Sequence, residues 1–510
     1  MRSAILAASC AATSWNGRPG SEMWSDVTPI GERQEQPERH DRTIQVMRGR
    51  FIHSWLLLAP LLLPACSARS AAQAGDAGQD QGDVAPVFTA AEKAQLASLA
   101  PAALPAPPAD SSNRYADDAR AALLGQKLFF DPLFSGALLN GDNDGSANTL
   151  GVKGQTGRVS CAGCHVPAAG FSDNRTLGTQ LSLAAGWEDP HRRTPSLYDV
   201  GQSKLLMWDG RRDALYNQVF GPFESLNEMN SGRLFVAEQI VQRYAADYQA
   251  IFGALPDFSG SARFPPIDAA HTGCNGPAGS TPVCHGLPGD GAEYDGMAAA
   301  DQDAVTRVVV NAGKALGAYQ RLLSCGQSPF DAWVHGTGTL TNSEQRGAAV
   351  FIGKGQCLSC HSGPFFSDEK FHNVGLAPAA VSQDNFTDID DQGAGTGIAA
   401  ANADPLNTHG KYSDGDDGRL PDTAGPAAAG SFRTPKLRCA SQRPSFMHTA
   451  QLRTLEDVVA FFNKGGLPFG YPGKSEIVPL NLTSGEMADL AAFLRSLQGT
   501  GAPASLLKAP

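Results

Sequence analysis

Apolar residues recur at helical spacing in five segments of the chain, and no segment alternates convincingly with the two-residue period of a strand. The clearest segment is 302–324, where the apolar positions are Val305, Val308, Val309, Ala312 and Leu316. This 3, 4, 7 spacing marks one buried face of a helix. The same pattern predicts helices over 114–130, 211–220, 233–252 and 342–353. The chain is therefore predicted to be mainly helical.

Two further helices are predicted from start signals near the C-terminus. Thr454 and Thr483 are each followed three residues later by a carboxylate, Asp457 and Glu486. A hydroxyl and a carboxylate at this spacing form a capping box, which closes the first turn of a helix. Gly- and Asp-rich stretches between the helices predict long loops or insertions over 136–157, 253–300 and 376–430.

The N-terminus has the composition of an exported protein. Residues 1–46 lack a globular pattern and are interpreted as a non-native or mis-assigned extension. Residues 47–65 carry two arginines, a short apolar run and then small residues, which predicts a signal peptide and a periplasmic location. The run is too short to span a membrane. Cys66 follows Leu63-Pro64-Ala65, which is similar to a lipid-attachment sequence. The proline is unusual there, so the lipid anchor stays an open alternative.

Residues 66–113 are rich in Ala, Pro, Asp and Gly, and they are predicted to be a flexible linker. The whole chain has 40 Lys and Arg against 51 Asp and Glu, a net charge of -11. This balance argues against nucleic acid as a partner, although mild acidity also simply favours solubility.

Four of the ten cysteines lie in two CxxCH motifs, Cys161-Ala-Gly-Cys164-His165 and Cys357-Leu-Ser-Cys360-His361. In this motif both thiols add to the vinyl groups of one haem, and the adjacent imidazole binds the iron. The motifs predict two covalently bound haem c groups with His165 and His361 as iron ligands. A zinc site or a redox-active cysteine pair is the alternative. Export and the lack of other close Cys and His clusters argue against both.

The remaining cysteines are less informative. Cys274 and Cys284 lie in the 253–300 insertion and could close a surface loop with a disulfide. Cys325 and Cys439 are either buried singly or paired.

Several ordered motifs resemble the bacterial di-haem cytochrome c peroxidase and MauG family. The resemblance runs from about 88 to 499 and rests on the following segments: Leu124-Gly-Gln-Lys-Leu-Phe-Phe-Asp131, Trp208-Asp-Gly-Arg211, Gln218 with Gly221-Pro222 and Glu228-Met229, Ser328-Pro-Phe-Asp331, Ser362-Gly-Pro-Phe-Phe-Ser-Asp368, Phe371-His-Asn-Val374, Phe432-Arg-Thr-Pro435, Leu437-Arg438 and Met447-His448. The two CxxCH motifs stand in the family's order among them.

The resemblance implies two cytochrome c-like helical haem domains that face each other, with long loops. The N-terminal peroxidatic domain is expected over 114–330, including the 253–300 insertion, and the C-terminal electron-transfer domain over 331–510. Trp208 would lie between the haems. Gln218 and Glu228 would lie on the distal side of the N-terminal haem, where Glu228 is the candidate acceptor and donor of peroxide protons.

Three departures from the family pattern change the expectations. Ala185 stands where the peroxidases have a histidine that closes the N-terminal haem, which favours an open haem unless His191 substitutes. Arg193 replaces an asparagine that helps to hold calcium, and a guanidinium cannot bind a cation, so a calcium ion is doubtful. The acidic run Asp384, Asp388, Asp390 and Asp391 is expected to be solvated instead of replacing that site.

The third departure concerns the C-terminal haem. Phe462 stands where the family has a methionine or tyrosine as the sixth iron ligand. A phenyl ring cannot bind iron. Met447 is therefore the candidate sixth ligand, with His448 as its alternative.

Three functions are consistent with these patterns. The first is a peroxidase that reduces hydrogen peroxide to water with electrons from a small cytochrome or copper protein. The second is a MauG-like oxidase that uses peroxide to modify a partner protein. The third is an electron-transfer cytochrome without catalysis, which would not need Gln218 and Glu228.

Overall fold

A computed structural model of the protein describes residues 84–175, 183–186, 192–272, 292–377, 391–425 and 428–510. The helices in these ranges are α1 (Ala90–Leu99), α2 (Ala119–Phe130), α3 (Cys161–Cys164), α4 (Leu215–Gln218), α5 (Phe220–Glu224), α6 (Arg233–Phe252), α7 (Ala292–Asp295), α8 (Ala299–Gln320), α9 (Pro329–Val334), α10 (Asn342–Ile352), α11 (Ala394–Ala403), α12 (Leu455–Lys464) and α13 (Ser484–Ser496). Strands β1 (Phe371–His372) and β2 (Phe432–Arg433) form one antiparallel pair, with Phe371 opposite Arg433. The prediction of a mainly helical chain is confirmed.

The observed helices agree closely with the predicted ones where the apolar pattern extends over many residues. Helix α6 has the predicted bounds, and the apolar stripe of α8 is fully buried, with Val305 and Val308 at 0% exposure. Both capping boxes form, because Thr454 and Thr483 accept hydrogen bonds from the N–H groups of Asp457 and Glu486. The single helix predicted over 211–220 is instead two short helices, α4 and α5. No helix in the described ranges is both long and apolar enough to cross a membrane.

The described chain has two large apolar cores, each built on a pair of crossing helices. Helices α2 and α8 cross in the first core, and α10 and α13 cross in the second. A glycine stands at each crossing. A Cβ atom at Gly125 would lie 2.0 Å from the carbonyl oxygen of Ala315, and one at Gly347 would lie 2.0 Å from that of Asp489. The helix backbones can approach this closely only because these glycines have no side chain.

The two cores belong to two copies of one structural pattern. In each copy a glycine-bearing helix precedes a CxxCH motif, an Arg-Thr-Pro-x-Leu segment follows, and a further helix completes the core. The segments begin at Arg193 and Arg433, 240 positions apart, and the same spacing relates Met207 to Met447, both of which have left-handed backbone angles. Of this repeated pattern, the sequence analysis identified only the two CxxCH motifs.

Equivalent backbone hydrogen bonds join the two copies. The N–H of Arg193 donates to the carbonyl oxygen of His448 (2.6 Å), and the N–H of Arg433 donates to that of Trp208 (2.8 Å). His448 is the counterpart of Trp208 at the same 240-residue spacing. The reciprocity of these bonds gives the pair of copies a local pseudo-two-fold relation.

The predicted linker over 66–113 is corrected by the structure. Helix α1 lies within it and carries a full capping box between Thr89 and Glu92. Leu96 and Leu99 are buried in the second core, at 3% and 0% exposure. Composition alone suggested a tether, but these two leucines provide an apolar face that docks.

Two predicted loops also contain folded elements. Helix α11 lies within 376–430 and buries Ile398 in a small apolar cluster. Within 253–300, Phe264 packs into the first core, and α7 lies near the end of that segment. Cys274 and Cys284 lie outside the described residues, so their predicted disulfide stays a prediction.

A disulfide between Cys325 and Cys439 links the two copies. Both residues are fully buried, and their Cα atoms are 5.8 Å apart across a sequence separation of 114. Cys325 follows α8 of the first core, and Cys439 precedes a short 3-10 turn in the second copy. Of the two alternatives that the sequence left open for these cysteines, the structure shows pairing.

The double variant Cys325→Ala/Cys439→Ala is expected to lose stability, because a cross-link over a long loop restricts the unfolded chain. The free energy of unfolding, measured by guanidinium denaturation, should fall by about 2–5 kcal/mol. A reductant should destabilise the wild type more than the double variant. Equal stability of the two proteins would contradict this role for the disulfide.

Candidate functional site

The two motif histidines have the same local environment. The ring Nδ1 of His165 lies 3.2 Å from the carbonyl oxygen of Phe171, and that of His361 lies 2.8 Å from the carbonyl oxygen of Phe366. Both phenylalanines are fully buried and have left-handed φ angles of 56° and 54°. A carbonyl acceptor at Nδ1 assigns the proton to that nitrogen and leaves the Nε2 lone pair to bind a metal. Burial lowers the pKa of His165 to about 4, which keeps this imidazole neutral.

The four motif cysteines form no disulfide and are partly buried. In the first motif, Cys161 and Cys164 bracket the short helix α3, which brings both thiols to one side of a single turn. Burial raises the pKa of Cys161 and Cys357 to about 12, so these two groups are thiols at neutral pH. Two thiols on one turn beside a neutral imidazole are the donor set of a c-type haem.

A cavity of about 440 Å³, called here the second cavity, surrounds the second motif. Cys357, Cys360 and His361 lie in its wall, together with two arginines whose Nε atoms are buried and have no hydrogen-bond partner, Arg193 and Arg443. Unsatisfied buried guanidinium nitrogens are costly unless an acceptor reaches them. A haem carries two propionate carboxylates, so the residues of this cavity fit that group.

A smaller cavity, of about 110 Å³, lies at the first motif and is called here the first cavity. Its wall contains His165, Gln218, Glu228 and Arg211. Burial raises the pKa of Glu228, and the positive charges of Arg211 and Arg212 oppose this rise. Gln218 and Glu228, which the sequence predicted to act together, are therefore brought into one cavity with the first motif.

Arg211 is a residue of this cavity to which the sequence analysis assigned no role. Its Nη1 lies 3.2 Å from a carboxylate oxygen of Asp209, which also forms an ion pair with the buried Arg192. The signal was available in the sequence, since Arg211 belongs to the quoted Trp208-Asp-Gly-Arg211 segment.

Ala185 lies against the backbone of Glu228. Its N–H donates to the carbonyl oxygen of Glu228 (2.9 Å), and its own carbonyl accepts from the N–H groups of Leu139 and Asn140 (2.8 and 3.0 Å). Ala185 is fully buried and offers no atom that could bind a metal. His191, its proposed substitute, lies outside the described residues.

Trp208 lies in the walls of both cavities. Its Nε1 donates to the carbonyl oxygen of Arg193 at 2.6 Å, which fixes the indole ring. The ring centroid is 6.4 Å from that of His448, and His448 in turn stacks on Phe432 at 3.5 Å. Trp208 therefore contacts both cavities, and its expected position between two haems stays a prediction.

The two cavities differ at individual positions of their walls. Met447 and Phe462 both line the second cavity, and the role of Met447 as a sixth ligand stays a prediction. Val458 also lines it and is the counterpart of Gln218 at the 240-residue spacing. The second copy therefore has an apolar side chain where the first has an amide.

Arg193 holds the two copies together through its side chain. Its guanidinium donates to the carbonyl oxygen of Asp173 at 2.8 Å and to the hydroxyl of Ser445. Burial lowers its pKa to about 10, still well above neutral pH, so the group is a cation. Within the described ranges, no cluster of three or more His, Cys, Asp or Glu side chains could hold a metal ion. Asp384, Asp388 and Asp390 of the acidic run lie outside those ranges.

Comparisons with known proteins identify the family. The family profile described as di-haem cytochrome c peroxidase matches residues 119–272. A methylamine utilization protein MauG from Methylorubrum extorquens is 29% identical over 76% of this chain and 80% of its own length. The cytochrome-c peroxidase IdrP1 from Denitromonas iodatirespirans is 27% identical over 77% of this chain and 85% of its own length. These comparisons support a di-haem cytochrome c peroxidase and MauG family, to whose members this chain is similar.

Solved structures agree with this assignment. The chain is similar to a MauG-like protein associated with microbial copper homeostasis, with a TM-score of 0.50 and 25% identity over 80% of this chain and 96% of that one. It also shares the fold of the di-haem peroxidase BthA from Burkholderia thailandensis, with a TM-score of 0.51 and 22% identity over 79% of this chain and 96% of that one. The relatives named MauG and cytochrome-c peroxidase support an enzyme of the peroxidase type.

Replacing both cysteines of one motif should remove one haem from this di-haem family member, because attachment needs the thiols of that motif. The mass of the denatured wild-type chain should exceed that of its polypeptide by two haems, and that of Cys161→Ala/Cys164→Ala by one. The variant Cys325→Ala/Cys439→Ala is the matched control and should keep both. A wild-type chain with fewer than two attached haems would contradict the assignment of the motifs.

Proposed function

We propose that the protein reduces hydrogen peroxide to water at the first CxxCH site, with electrons that a small redox protein delivers through the second. The observation that carries this proposal is the asymmetry between the two cavities. Glu228 and Gln218 line the first cavity, and the counterpart of Gln218 in the second is Val458. The second cavity also has a carboxylate in its wall, Glu476, but that group is ion-paired with His372 at 2.7 Å.

Two covalently attached haem c groups are part of the proposal. Cys161 and Cys164 would hold one, with His165 as iron ligand, and Cys357 and Cys360 the other, with His361. When bound, each haem supplies the redox-active iron. Trp208, in the wall of both cavities, would lie between two haems that face each other.

Glu228 would move the protons. Reduction of peroxide breaks the O–O bond and consumes two electrons and two protons to give two water molecules. The ionised Glu228 carboxylate would accept a proton from one peroxide oxygen and give it to the other, departing oxygen. Arg211 keeps a positive charge beside this carboxylate, and Gln218 offers an amide that can donate to a bound oxygen.

The remaining expectations of location and ligands also belong to the proposal. The signal pattern of residues 47–65 supports export to the periplasm, with Cys66 as a possible lipid attachment point. Met447 is the proposed sixth ligand of the second haem, because it lines that cavity and Phe462 cannot bind iron. Arg193 places a cation between the copies and supports the absence of a calcium ion at that position.

A MauG-like oxidase that modifies a partner protein is the second candidate. The specific observation in its favour is Ala185, since a fixed, ligand-free side chain beside Glu228 supports a first site that is open without prior reduction. The two functions differ in the fate of the oxidising equivalents. A peroxidase returns quickly to its resting spectrum when a reduced cytochrome is present. An oxidase of the second kind keeps its altered spectrum until the partner protein is added.

The central prediction concerns Glu228. In stopped-flow mixing of the fully oxidised protein with one equivalent of peroxide, the wild type should react at once. Glu228→Gln should react about 10²–10⁴-fold more slowly, because it cannot accept the proton. The wild-type rate should rise with pH through the raised pKa of Glu228, because only the ionised form is a base. Glu228→Gln should lack this dependence.

The control is Glu456→Gln, which changes an exposed carboxylate of α12 and should react like the wild type. Full reactivity of Glu228→Gln, with both haems attached, would exclude Glu228 as the proton acceptor. A wild type that ignores peroxide in both redox states would contradict the proposed function and leave the electron-transfer cytochrome.

A further inference from the structure

An exposed apolar cluster lies on the loop between α12 and α13. The loop spans 465–480 and is called here the rim loop, because its residues Glu476, Ile477, Val478 and Leu480 line the second cavity. Leu467, Phe469 and Val478 are exposed by 38%, 80% and 56%. Single exposed apolar residues are ordinary, but several on one short loop beside a functional cavity indicate a contact surface.

Backbone contacts hold the rim loop in a fixed position. The N–H of Leu467 donates to the carbonyl oxygen of Gly375 (2.8 Å), and the N–H of Glu476 donates to that of Asn373 (2.8 Å). A Cβ atom at Gly465 would lie 2.7 Å from Pro479. The two ends of the loop therefore meet, with Leu467 close to one end and Val478 close to the other.

The charge of this surface is opposite to that of the whole chain. Lys464, Lys474 and Lys370 are exposed at or beside the rim loop, and none of them has an ion-pair partner among the described residues. The acid of the loop, Glu476, is paired with His372 at 2.7 Å. The surface is thus basic on a chain whose net charge is -11.

The rim loop lies beside the second CxxCH motif. Cys360 lines the same cavity as Ile477 and Val478, and its neighbour Ser359 is exposed. A protein that docks on the rim loop would therefore approach the motif edge of the second site.

We propose that Leu467, Phe469 and Val478, with the surrounding lysines, form the docking surface for the acidic face of a small soluble redox protein. This inference rests on the proposed function and adds the location and charge of the donor's contact. The apolar residues would provide a dry contact of short range, and the lysines would steer an acidic partner and set the salt dependence of its association. A lipid surface is the less favoured occupant, because the exposed apolar residues lie on a loop and not on an amphipathic helix face. The paired Glu476 and His372 lie in the wall of the neighbouring cavity.

The test measures steady-state oxidation of two reduced probes, plastocyanin as an acidic protein and mitochondrial cytochrome c as a basic one. The wild type should oxidise plastocyanin with the lower KM, and this KM should rise with ionic strength. The double variant Lys464→Glu/Lys474→Glu should raise the KM for plastocyanin about tenfold, and Phe469→Ser about threefold, with little change in kcat.

The matched controls are Leu133→Ser and Lys153→Glu, which alter an exposed leucine and an exposed lysine of the first copy. They should leave both KM values unchanged. All variants should keep the single-turnover rate with peroxide, which shows that they are folded and loaded.

Three results would overturn the inference. One is an unchanged plastocyanin KM in the lysine variant at full peroxide reactivity, and another is a wild-type preference for the basic cytochrome. The third is sedimentation of the wild type, but not of Phe469→Ser, with anionic phosphatidylserine vesicles, which would assign the surface to a membrane. Loss of the peroxide reaction in the wild type itself would instead contradict the proposed function.

Discussion

Two reciprocal backbone hydrogen bonds join the two copies of the repeated pattern, from Arg193 to His448 and from Arg433 to Trp208. They place the two aromatic rings that follow the Arg-Thr-Pro segments at the boundary of the cavities, 6.4 Å apart. A buried backbone amide needs a hydrogen-bond acceptor. Because each copy provides the acceptor for the other, the two bonds favour one orientation of the copies relative to each other. The buried disulfide between Cys325 and Cys439 reinforces the same junction.

The repeat explains how one architecture can hold two different sites. Each copy fixes its motif histidine with a carbonyl at Nδ1, and each has a glycine where its core helices cross. The copies diverge in the residues that face the cavity, where Gln218 and Glu228 of the first contrast with Val458 and Phe462 of the second. Such divergence changes the chemistry of a site while its scaffold stays the same.

Much of the site could be predicted from the sequence, because CxxCH and capping boxes are local signals. The spacing of Cys161, Cys164 and His165 is enough to predict that one turn of the chain carries a haem-attachment site. The apolar positions of α8 are enough to predict which face of that helix is buried. The linker prediction for 66–113 was wrong over α1, because its two buried leucines are too few to stand out in an Ala- and Pro-rich stretch. The repeat was missed for a related reason. Its copies share backbone conformation at positions such as Met207 and Met447, while most of their side chains differ. Arg211 was missed although it belongs to a quoted motif, because the sequence did not show that folding places its charge near Glu228.

The division of labour between the copies can be tested by exchanging one pair of counterparts. The measurement is the second-order rate constant for peroxide in Gln218→Val and in Val458→Gln, each with both haems attached. Gln218→Val is expected to lower this rate constant about tenfold, which corresponds to one lost hydrogen bond of about 1.4 kcal/mol. Val458→Gln is expected to keep the rate constant within about twofold of the wild-type value. A reaction that is unaffected by Gln218→Val and altered by Val458→Gln would place the peroxide chemistry in the second copy and contradict the account.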